Sequence, residues 1–490
     1  MIGITGYGAY VPRMRLDRRT AADANAWFNP ALKGLAKGVR SMCNWDEDSV
    51  TMAVAAARDC LHGGALPNPG ALHLASTTLP FMDRDCAGLV AAALGLPEEL
   101  GTANLTATQR AATSGLVTAL KSVAADAGTI LLLASEHRRT KAGSALEMIS
   151  GDAAAALMLG RENVLCEFLG GHQLTIDFVD HYRGATEAFD YPWEDRWHRD
   201  QGFMEIAPRA LVGLFEKTGA APAAVDHFVM PETVRGVTAK VAAAAGIPDR
   251  AIADSLGDEM GAAGTAHALV MLADVLAKTK PGQTIVVVGW GQGCDALLFR
   301  ATDRITDFRP RLGLRGHLAL GREEKLYTKF LAFNGLIEME RGLRSEVDKQ
   351  TALSGLYRNR KLLTSFVGGK CRSCGTVQIP KSNVCIGPNC GATGAQVDHP
   401  MADVAASLQS WTADRLTYTP DPPQHFGMVV FAGGGRILAD ISDVDPGEVD
   451  VGMPVRMEFR IKDFDDSRGF TRYFWKATPD RVTGANAGAG

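Results

Sequence analysis

The sequence contains two strand–loop–strand segments of similar design, and this repeat restricts the possible fold more than any other feature. Near residue 130, TILLLASEHRR precedes GDAAAALMLG, and near residue 284, TIVVVGWGQG precedes CDALLFRA. Each pair closes a stretch in which β-branched runs alternate with Ala-rich segments whose apolar residues recur every three or four positions. That alternation is typical of an α/β domain. The repeat favours two related α/β halves, although apolar strand pairs also resemble one another without duplication.

The character of the chain changes after residue 302. A charged, partly periodic segment follows, then a cysteine-rich segment, and then short β-type runs such as PVRMEFRIKDF and TRYFWKATP, which indicate a small all-β domain. We therefore expect two α/β halves at 1–165 and 166–302 and a helical connector at 303–367. The cysteine-rich segment should span 368–395 and the all-β domain 396–480, followed by a disordered tail at 481–490.

Four of the nine cysteines are clustered near residue 380. Cys371 and Cys374 form a C-x-x-C pair, and after ten residues Cys385 and Cys390 form a C-x4-C pair. Two such pairs can close a tetrahedral thiolate shell around Zn²⁺, and a closed shell leaves no position for a substrate. The spacing predicts a structural zinc ribbon. The other cysteines are expected to be small core residues in a reducing compartment.

Composition excludes several functional classes. With 490 residues, 46% hydrophobic and 22% charged, the chain is expected to form more than one soluble domain. Its formal charge is −4, and the region from residue 371 onward has 11 Lys and Arg against 14 Asp and Glu, a net of −3. A surface that follows phosphates needs a basic excess, so we expect no nucleic-acid partner. No secretory signal and no spanning segment is evident, so we expect a cytoplasmic protein without a membrane partner.

Residues 1–300 resemble the thiolase superfamily, and within it the archaeal-type hydroxymethylglutaryl-CoA synthases. The segments GITGYGAYVPRMRL, WDEDSVTMAVAAA and GSALEMISGDAAAALMLG carry this resemblance. The part after residue 371 is similar to the zinc-ribbon/OB-fold proteins that accompany thiolase-like enzymes. The resemblance implies a duplicated α/β fold with αβαβα layers, followed by a zinc ribbon and an all-β OB barrel. It also implies a homodimer and an acyl-CoA thioester substrate whose pantetheine arm enters a buried pocket.

The positions that carry the synthase chemistry are all changed. By resemblance, the nucleophilic Cys falls on Gln109 of TATQRAATSG and the Glu on Thr77 of LASTTLPF. The His falls on or next to Pro231 of VMPETVRG, and the later Asn falls on Asp258 of LGDEMGAAG. Glutamine cannot form an acyl-enzyme, but its amide can donate a hydrogen bond to an oxyanion. Related ketosynthases with a Gln at this position decarboxylate rather than condense.

The sequence offers several candidate site residues. Asp258 is expected to open a helix whose dipole keeps its carboxylate ionised, and it is our first candidate for the base; an ordinary N-cap is the alternative. Glu232 and Glu259 are further candidates, and Gln109 and Thr77 are expected at the catalytic position. Basic residues in two loops are expected to bind the phosphates of coenzyme A, although solvated charges or a dimer interface would explain them equally: Arg139, Lys141, Arg196 and Arg199.

These features predict an enzyme that makes or breaks a carbon–carbon bond of a β-keto- or β-hydroxyacyl-CoA. Cleavage by retro-aldol or retro-Claisen chemistry, or decarboxylation, is favoured over synthesis because the thiolate is missing. Two alternatives stay open. One is a synthase-like condensing acyltransferase with another nucleophile, for which Cys86 is the nearest cysteine in sequence. The other is a non-catalytic acyl-CoA-binding scaffold subunit.

Overall fold

The structure, a computed structural model of the chain, describes residues 1–64, 66–126, 128–340 and 349–481. Its contacts divide the chain into two compact units. The first comprises Met1–Cys43, Asp48–Val90 and Glu98–Leu336. The second comprises Asn44–Glu47, Ala91–Pro97 and the described residues from Ile337 onward. The predicted disordered tail, 481–490, lies outside the described residues except for Arg481.

The strands are β1 Gly3–Tyr10, β2 Met14–Asp17, β3 Val39–Met42, β4 Ala71–Ala75, β5 Gly101–Leu105, β6 Ile130–Glu136, β7 Ala153–Gly160, β8 Cys166–Thr175, β9 His181–Tyr182, β10 Tyr191–Pro192, β11 His227–Val229, β12 Thr284–Trp290, β13 Gly293–Ala301, β14 Arg322–Glu324, β15 Val367–Cys371, β16 Val377–Gln378, β17 Gln396–Pro400, β18 Ala406–Asp414, β19 Gln424–Phe431, β20 Arg436–Ile441, β21 Pro454–Asp465 and β22 Phe470–Pro479.

The α-helices are α1 Arg18–Asn25, α2 Ser49–Leu61, α3 Cys86–Ala93, α4 Ala111–Ala124, α5 Ala145–Ile149, α6 Asp195–Trp197, α7 Met204–Thr218, α8 Val237–Ala244, α9 His267–Leu276, α10 Gly313–Ala319, α11 Tyr327–Phe333, α12 Leu353–Arg358 and α13 Arg360–Leu363. A π-helical turn at His198–Phe203 leads into α7.

The central sheet of the first unit repeats one strand arrangement. Its order is β11-β12-β13-β8-β1-β7-β6-β4-β5. In the first half, β1 pairs antiparallel with β7, β7 antiparallel with β6, and β6 parallel with β4. The second half repeats these pairings: β8 pairs antiparallel with β13, β13 antiparallel with β12, and β12 parallel with β11. This confirms the predicted duplication.

Helices lie between and outside the two halves of the sheet. Helix α2 packs on β1, β7 and β6, and helix α7 packs on β8 and β13. Helices α4 and α9 contact each other and strands of both halves. All ten residues of α9 are buried, as expected for a helix with sheet on two sides. The order helix, half-sheet, helix pair, half-sheet, helix gives the five layers predicted by the resemblance.

Two glycines let the second half approach the start of α4. A Cβ added at Gly289 in β12 would lie 1.9 Å from Thr113 Oγ1. At Gly291, in the turn after β12, an added Cβ would lie 2.8 Å from the Arg110 backbone nitrogen. Real Cβ atoms do not approach other atoms this closely, so only glycine fits at either position. The close approach brings the turn after β12 against the residues that precede α4.

The second unit consists of a three-stranded ribbon and a barrel. Strand β15 pairs antiparallel with both β16 and β17. Strands β18, β19, β20, β22 and β21 close a five-stranded barrel, which confirms the predicted small all-β fold. Its core includes Trp475, which is 1% exposed and stacks on Phe366 at a centroid distance of 5.7 Å.

In the described part of the segment predicted as a helical connector, 303–367, there are four α-helices, but the segment is not only helical. Strand β14 lies within it and pairs parallel with β2 in the first unit. Residues 341–348 of this segment lie outside the described residues. In the part of the chain that the structure describes, no helix has the length and apolar character needed to cross a bilayer.

Candidate active site

A cavity of about 740 Å³ lies in the first unit at the carboxyl ends of strands β4, β5 and β6. Its walls come from the loops after these strands, from residues 181–190, and from the turn between β12 and β13. Parallel strands bring the loops at their carboxyl ends to one edge of a sheet, which is why α/β proteins bind ligands there. The cavity size is that of a typical small-molecule site.

Gln109 lines this cavity, one residue before the N-cap of α4. Its amide oxygen accepts hydrogen bonds from Arg138 Nη1 and Nη2, both at 3.0 Å, and from His181 Nε2 at 2.8 Å. The opposite orientation of the amide would set its NH2 group against the guanidinium N–H groups. Because its oxygen is held by these donors, the two N–H donors of Gln109 are left for other acceptors.

His181 is held by a buried carboxylate. Its Nδ1 lies 2.8 Å from Asp180 Oδ1, and Trp290 Nε1 donates to Asp180 Oδ2 at 2.9 Å. Burial raises the pKa of Asp180, but hydrogen bonds from His181 and Trp290 and the positive charges nearby lower it below its ordinary value. The ring lies between the ionised Asp180 and the Gln109 oxygen, which both only accept. Both ring nitrogens of His181 are therefore engaged, and the ring is held in place against Gln109.

A second buried network supports the same wall. Glu136, at the end of β6, accepts from the Thr77 backbone nitrogen at 3.0 Å and from the Thr77 hydroxyl, and from Arg138 Nη1 at 3.3 Å. Arg138 also donates from Nε to Asp190. Burial lowers the pKa of Arg138, but Glu136 and Asp190 raise it above its usual range, so its guanidinium is a permanent cation beside Gln109. The Thr77 hydroxyl connects the cavity to the buried Glu136 carboxylate.

The structure brings three of the predicted catalytic and coenzyme-binding residues to the cavity: Thr77, Gln109 and Arg139. Arg139 is anchored by donation to the backbone oxygens of Asn334 and Gly335, at 3.1 Å in both cases. Lys141, Arg196 and Arg199 are not among the lining residues, and Arg199 pairs with Asp200 at 2.7 Å.

The three predicted carboxylates, Asp258, Glu232 and Glu259, lie outside the cavity, and Glu259 pairs with Arg315 at 3.0 Å. Asp258 is exposed and pairs with Lys37. The expectation that Asp258 opens a helix is wrong, because residues 257–260 form a turn and α9 begins at His267. Glu232 accepts from the backbone nitrogen of Gly236, just before α8. Pro231 does not line the cavity either, and the imidazole beside Gln109 comes from His181.

No cysteine lines the cavity among the residues that the structure describes. Cys86, considered above as a substitute nucleophile, is buried in α3. Burial raises the pKa of its thiol to about 11, with a smaller contribution from Asp48. A thiol with such a pKa is almost entirely protonated at neutral pH, whereas the thiolate is the nucleophile.

The four clustered cysteines of the second unit meet as predicted. Their sulfur atoms all lie within 4.8 Å of one another. Cys374 Sγ is 3.5 Å from Cys385 Sγ, and Cys371 Sγ is 3.9 Å from Cys390 Sγ. The Gly387 backbone nitrogen donates to Cys385 Sγ at 3.3 Å, a contact that favours thiolate character. This donor set fits a structural Zn²⁺ with a closed shell.

Comparisons with known families agree with the division of the chain into an α/β unit and a ribbon–barrel unit. Residues 215–300 match the C-terminal domain of 3-oxoacyl-[acyl-carrier-protein] synthase III. Residues 364–395 match the rubredoxin-like zinc ribbon of ChsH2, and residues 399–460 match its C-terminal OB-fold domain.

Similar proteins support the same family. The hydroxymethylglutaryl-CoA synthase of Methanocella arvoryzae is 29% identical over 315 residues, which is 62% of this chain and 90% of the relative. That of Methanocaldococcus jannaschii is 27% identical over 352 residues, 69% of this chain and 100% of the relative.

Solved structures show the same fold. MvaS in complex with 3-hydroxy-3-methylglutaryl coenzyme A has a TM-score of 0.57 at 20% identity, covering 68% of this chain and 91% of its own. The OleA protein of Xanthomonas campestris with bound lauric acid and lauroyl-CoA has a TM-score of 0.54 at 18% identity. The match covers 61% of this chain and 98% of the OleA chain. The chain thus has a thiolase-like fold, is similar to the hydroxymethylglutaryl-CoA synthases, and continues into segments that match the ChsH2 zinc ribbon and OB fold.

Proposed function

We propose that this protein is an acyl-CoA-dependent enzyme that cleaves a carbon–carbon bond of a β-hydroxyacyl- or β-ketoacyl-CoA without forming an acyl-enzyme. One observation carries the proposal. An amide at residue 109, with its oxygen fixed by Arg138 and His181, faces a cavity whose described lining contains no thiol. Relatives named as hydroxymethylglutaryl-CoA synthases support the class of substrate.

The amide of Gln109 is suited to bind an enolate. Cleavage next to a thioester leaves negative charge on the thioester oxygen, and preorganised N–H donors stabilise such charge in the transition state. The Gln109 NH2 group supplies these donors. Arg138 and His181 hold and polarise the amide from its oxygen side, so they strengthen its N–H donors without touching the substrate.

The Thr77–Glu136 pair is suited to accept a proton. In a retro-aldol step, the β-hydroxyl would give its proton to the Thr77 oxygen while Thr77 passes its own proton to Glu136. The O–H electron pair then forms the new carbonyl, and the electrons of the Cα–Cβ bond become the enolate. Return of the proton to the α-carbon releases a shortened acyl-CoA and an aldehyde or ketone. A positioned acid or base of this kind contributes about 10²–10⁴-fold to a rate.

Coenzyme A binding is proposed to involve Arg139, which lines the cavity. The three other cations predicted for this role, Lys141, Arg196 and Arg199, stay hypotheses for the outer part of the coenzyme, whose phosphates extend well beyond the reacting atoms. A homodimer is likewise proposed by resemblance, and a cytoplasmic location stays a prediction from the sequence. Light scattering on the purified chain tests the dimer.

Product analysis tests the proposed reaction. The chain is incubated with β-hydroxyacyl- and β-ketoacyl-CoA substrates of several lengths, with and without free coenzyme A, and thioesters and carbonyl products are separated by chromatography. Retro-aldol cleavage gives a carbonyl compound without added coenzyme A, whereas retro-Claisen cleavage consumes coenzyme A and gives two thioesters. Formation of hydroxymethylglutaryl-CoA from acetyl-CoA and acetoacetyl-CoA would support the condensing alternative. No turnover of any substrate would support the scaffold.

Variants of two of the carboxylates outside the cavity test the site assignment. Since Asp258 pairs with exposed Lys37 and Glu232 caps a loop, we expect Asp258→Asn and Glu232→Gln to retain activity within about twofold, as for ordinary surface substitutions. Steady-state kinetics with the substrate found above measures this. A loss of more than about 100-fold in either variant, as expected for a removed general base, would return the role to that carboxylate.

A further inference from the structure

A second group of metal-ligand side chains lies in the wall of the cavity. Cys43 follows β3, His137 follows β6, and Asp152 precedes β7. One ligand atom of each lies within 4.8 Å of those of the other two. Cys43 and Asp152 are buried, whereas His137 lines the cavity. The three side chains therefore converge on one point that is reached from the cavity through His137.

Two polar atoms at this point, Asp152 Oδ1 and His137 Nδ1, lack the hydrogen bonds that buried groups normally have. Asp152 is 0% exposed, and its Oδ1 has no hydrogen-bond partner among the described residues. His137 Nδ1 lies 3.2 Å from Asp152 Oδ2 but also makes no bond of hydrogen-bond geometry there. Buried polar atoms in native proteins are almost always paired. A cation held between these atoms would satisfy both.

The surroundings fix the carboxylate and balance the charge. The Cys43 backbone nitrogen donates to Asp152 Oδ2 at 2.8 Å, and the Ser41 hydroxyl donates to the Asp152 backbone oxygen at 2.7 Å. Arg40 is a buried cation that interacts with the charge of Asp152. Once the Cys43 thiol has released its proton to solvent, a thiolate and a carboxylate together offset the two charges of a divalent ion, so the occupied set of ion and ligands is neutral beside Arg40.

From this geometry we propose that Cys43, His137 and Asp152 bind a second Zn²⁺ ion, distinct from that of the ribbon. A thiolate, an imidazole and a carboxylate are the ligands that zinc takes in proteins, and three protein ligands leave a fourth position open. We expect that position to be reached from the cavity, which His137 lines, and to hold water or a substrate oxygen. The inference goes beyond the proposed function, because zinc binding here does not depend on which thioester is cleaved.

Zinc stoichiometry tests the proposal without any assay of activity. The full chain is equilibrated by dialysis against micromolar ZnCl2, passed through a desalting column, and analysed for zinc and protein. We expect two zinc ions per chain in the wild type. Asp152→Asn, which keeps the shape and one acceptor oxygen, and Cys43→Ser should each hold one. Cys166→Ser, a matched change at another buried cysteine, should keep two.

One zinc ion per wild-type chain would overturn the proposal, as would two ions retained in both Asp152→Asn and Cys43→Ser. Circular dichroism shows whether each variant folds. If one does not, cobalt binding to the wild-type chain is measured in its place. Co²⁺ added to wild-type chain already loaded with one zinc ion should give the absorption of a site with one thiolate ligand. A flat cobalt titration would equally overturn the proposal.

Discussion

Gln109→Ala is expected to lower kcat about 10²–10³-fold, the usual cost of removing one oxyanion donor. The side chain faces the cavity with its oxygen held by Arg138 and His181, so its truncation removes the N–H donors aimed at the developing enolate. KM should change much less, because the donor acts on charge that exists only in the transition state. Steady-state kinetics on the best cleaved thioester measures both constants.

Gln109→Glu is the matched comparison. It keeps the length of the side chain and gives Arg138 and His181 an acceptor, but it replaces the N–H donors with a second acceptor oxygen. We expect a loss at least as large as that in Gln109→Ala, with thermal stability kept in both variants. Wild-type kcat in Gln109→Glu would contradict the role of the amide, since a carboxylate cannot donate to an enolate.

Cys385→Ser is expected to remove the ribbon zinc and unfold residues around β15, β16 and β17. These strands are short, and a structural zinc ion supplies about 10–16 kcal/mol of binding free energy at neutral pH in comparable peptides. Cys385 is 4% exposed and lies 3.5 Å from Cys374 Sγ, so serine removes one ligand of a closed shell. Hydrogen exchange measured by mass spectrometry should show lost protection across residues 367–400.

Cys374 is an exposed ligand of the same zinc shell. Cys374→Ser should therefore also remove the zinc ion and the protection of residues 367–400. Cys294→Ser, in buried β13, serves as the control that changes a cysteine without touching the ribbon. The zinc content of Cys385→Ser is measured first. If the ribbon zinc is absent but hydrogen exchange at 367–400 is unchanged, the ribbon folds without metal, and the prediction is wrong.

The parts of the fold that depend on local pattern were predictable from the sequence. Alternating strands and helices, the repeated strand pairs and the two cysteine pairs each leave a periodic or spaced signal, and each is found in the structure. Gln109 lines the cavity, at the position that the resemblance indicated, and its turn before α4 fits the strand–turn–helix pattern of the sequence.

The partners of Gln109 left no such signal. His181 begins the two-residue strand β9 and Asp180 precedes it. His181 is 72 residues further along the chain than Gln109, and only the tertiary fold brings it to the amide. Glu136 was not predicted as a site residue, because the cations that follow it in SEHRRTK indicated a basic loop. Its carboxylate is fully buried and accepts from Thr77. Asp258 was misplaced because a Gly-Asp turn was interpreted as a helix start.

The mass of the intact protein during turnover tests the central claim most directly. The chain is mixed with a cleaved acyl-CoA, quenched in acid within one turnover and at steady state, and measured by mass spectrometry beside the products. We predict an unmodified protein mass at every time while shortened thioester accumulates. A protein carrying the mass of the acyl group, formed as fast as product, would show that the carbon–carbon chemistry passes through a covalent intermediate.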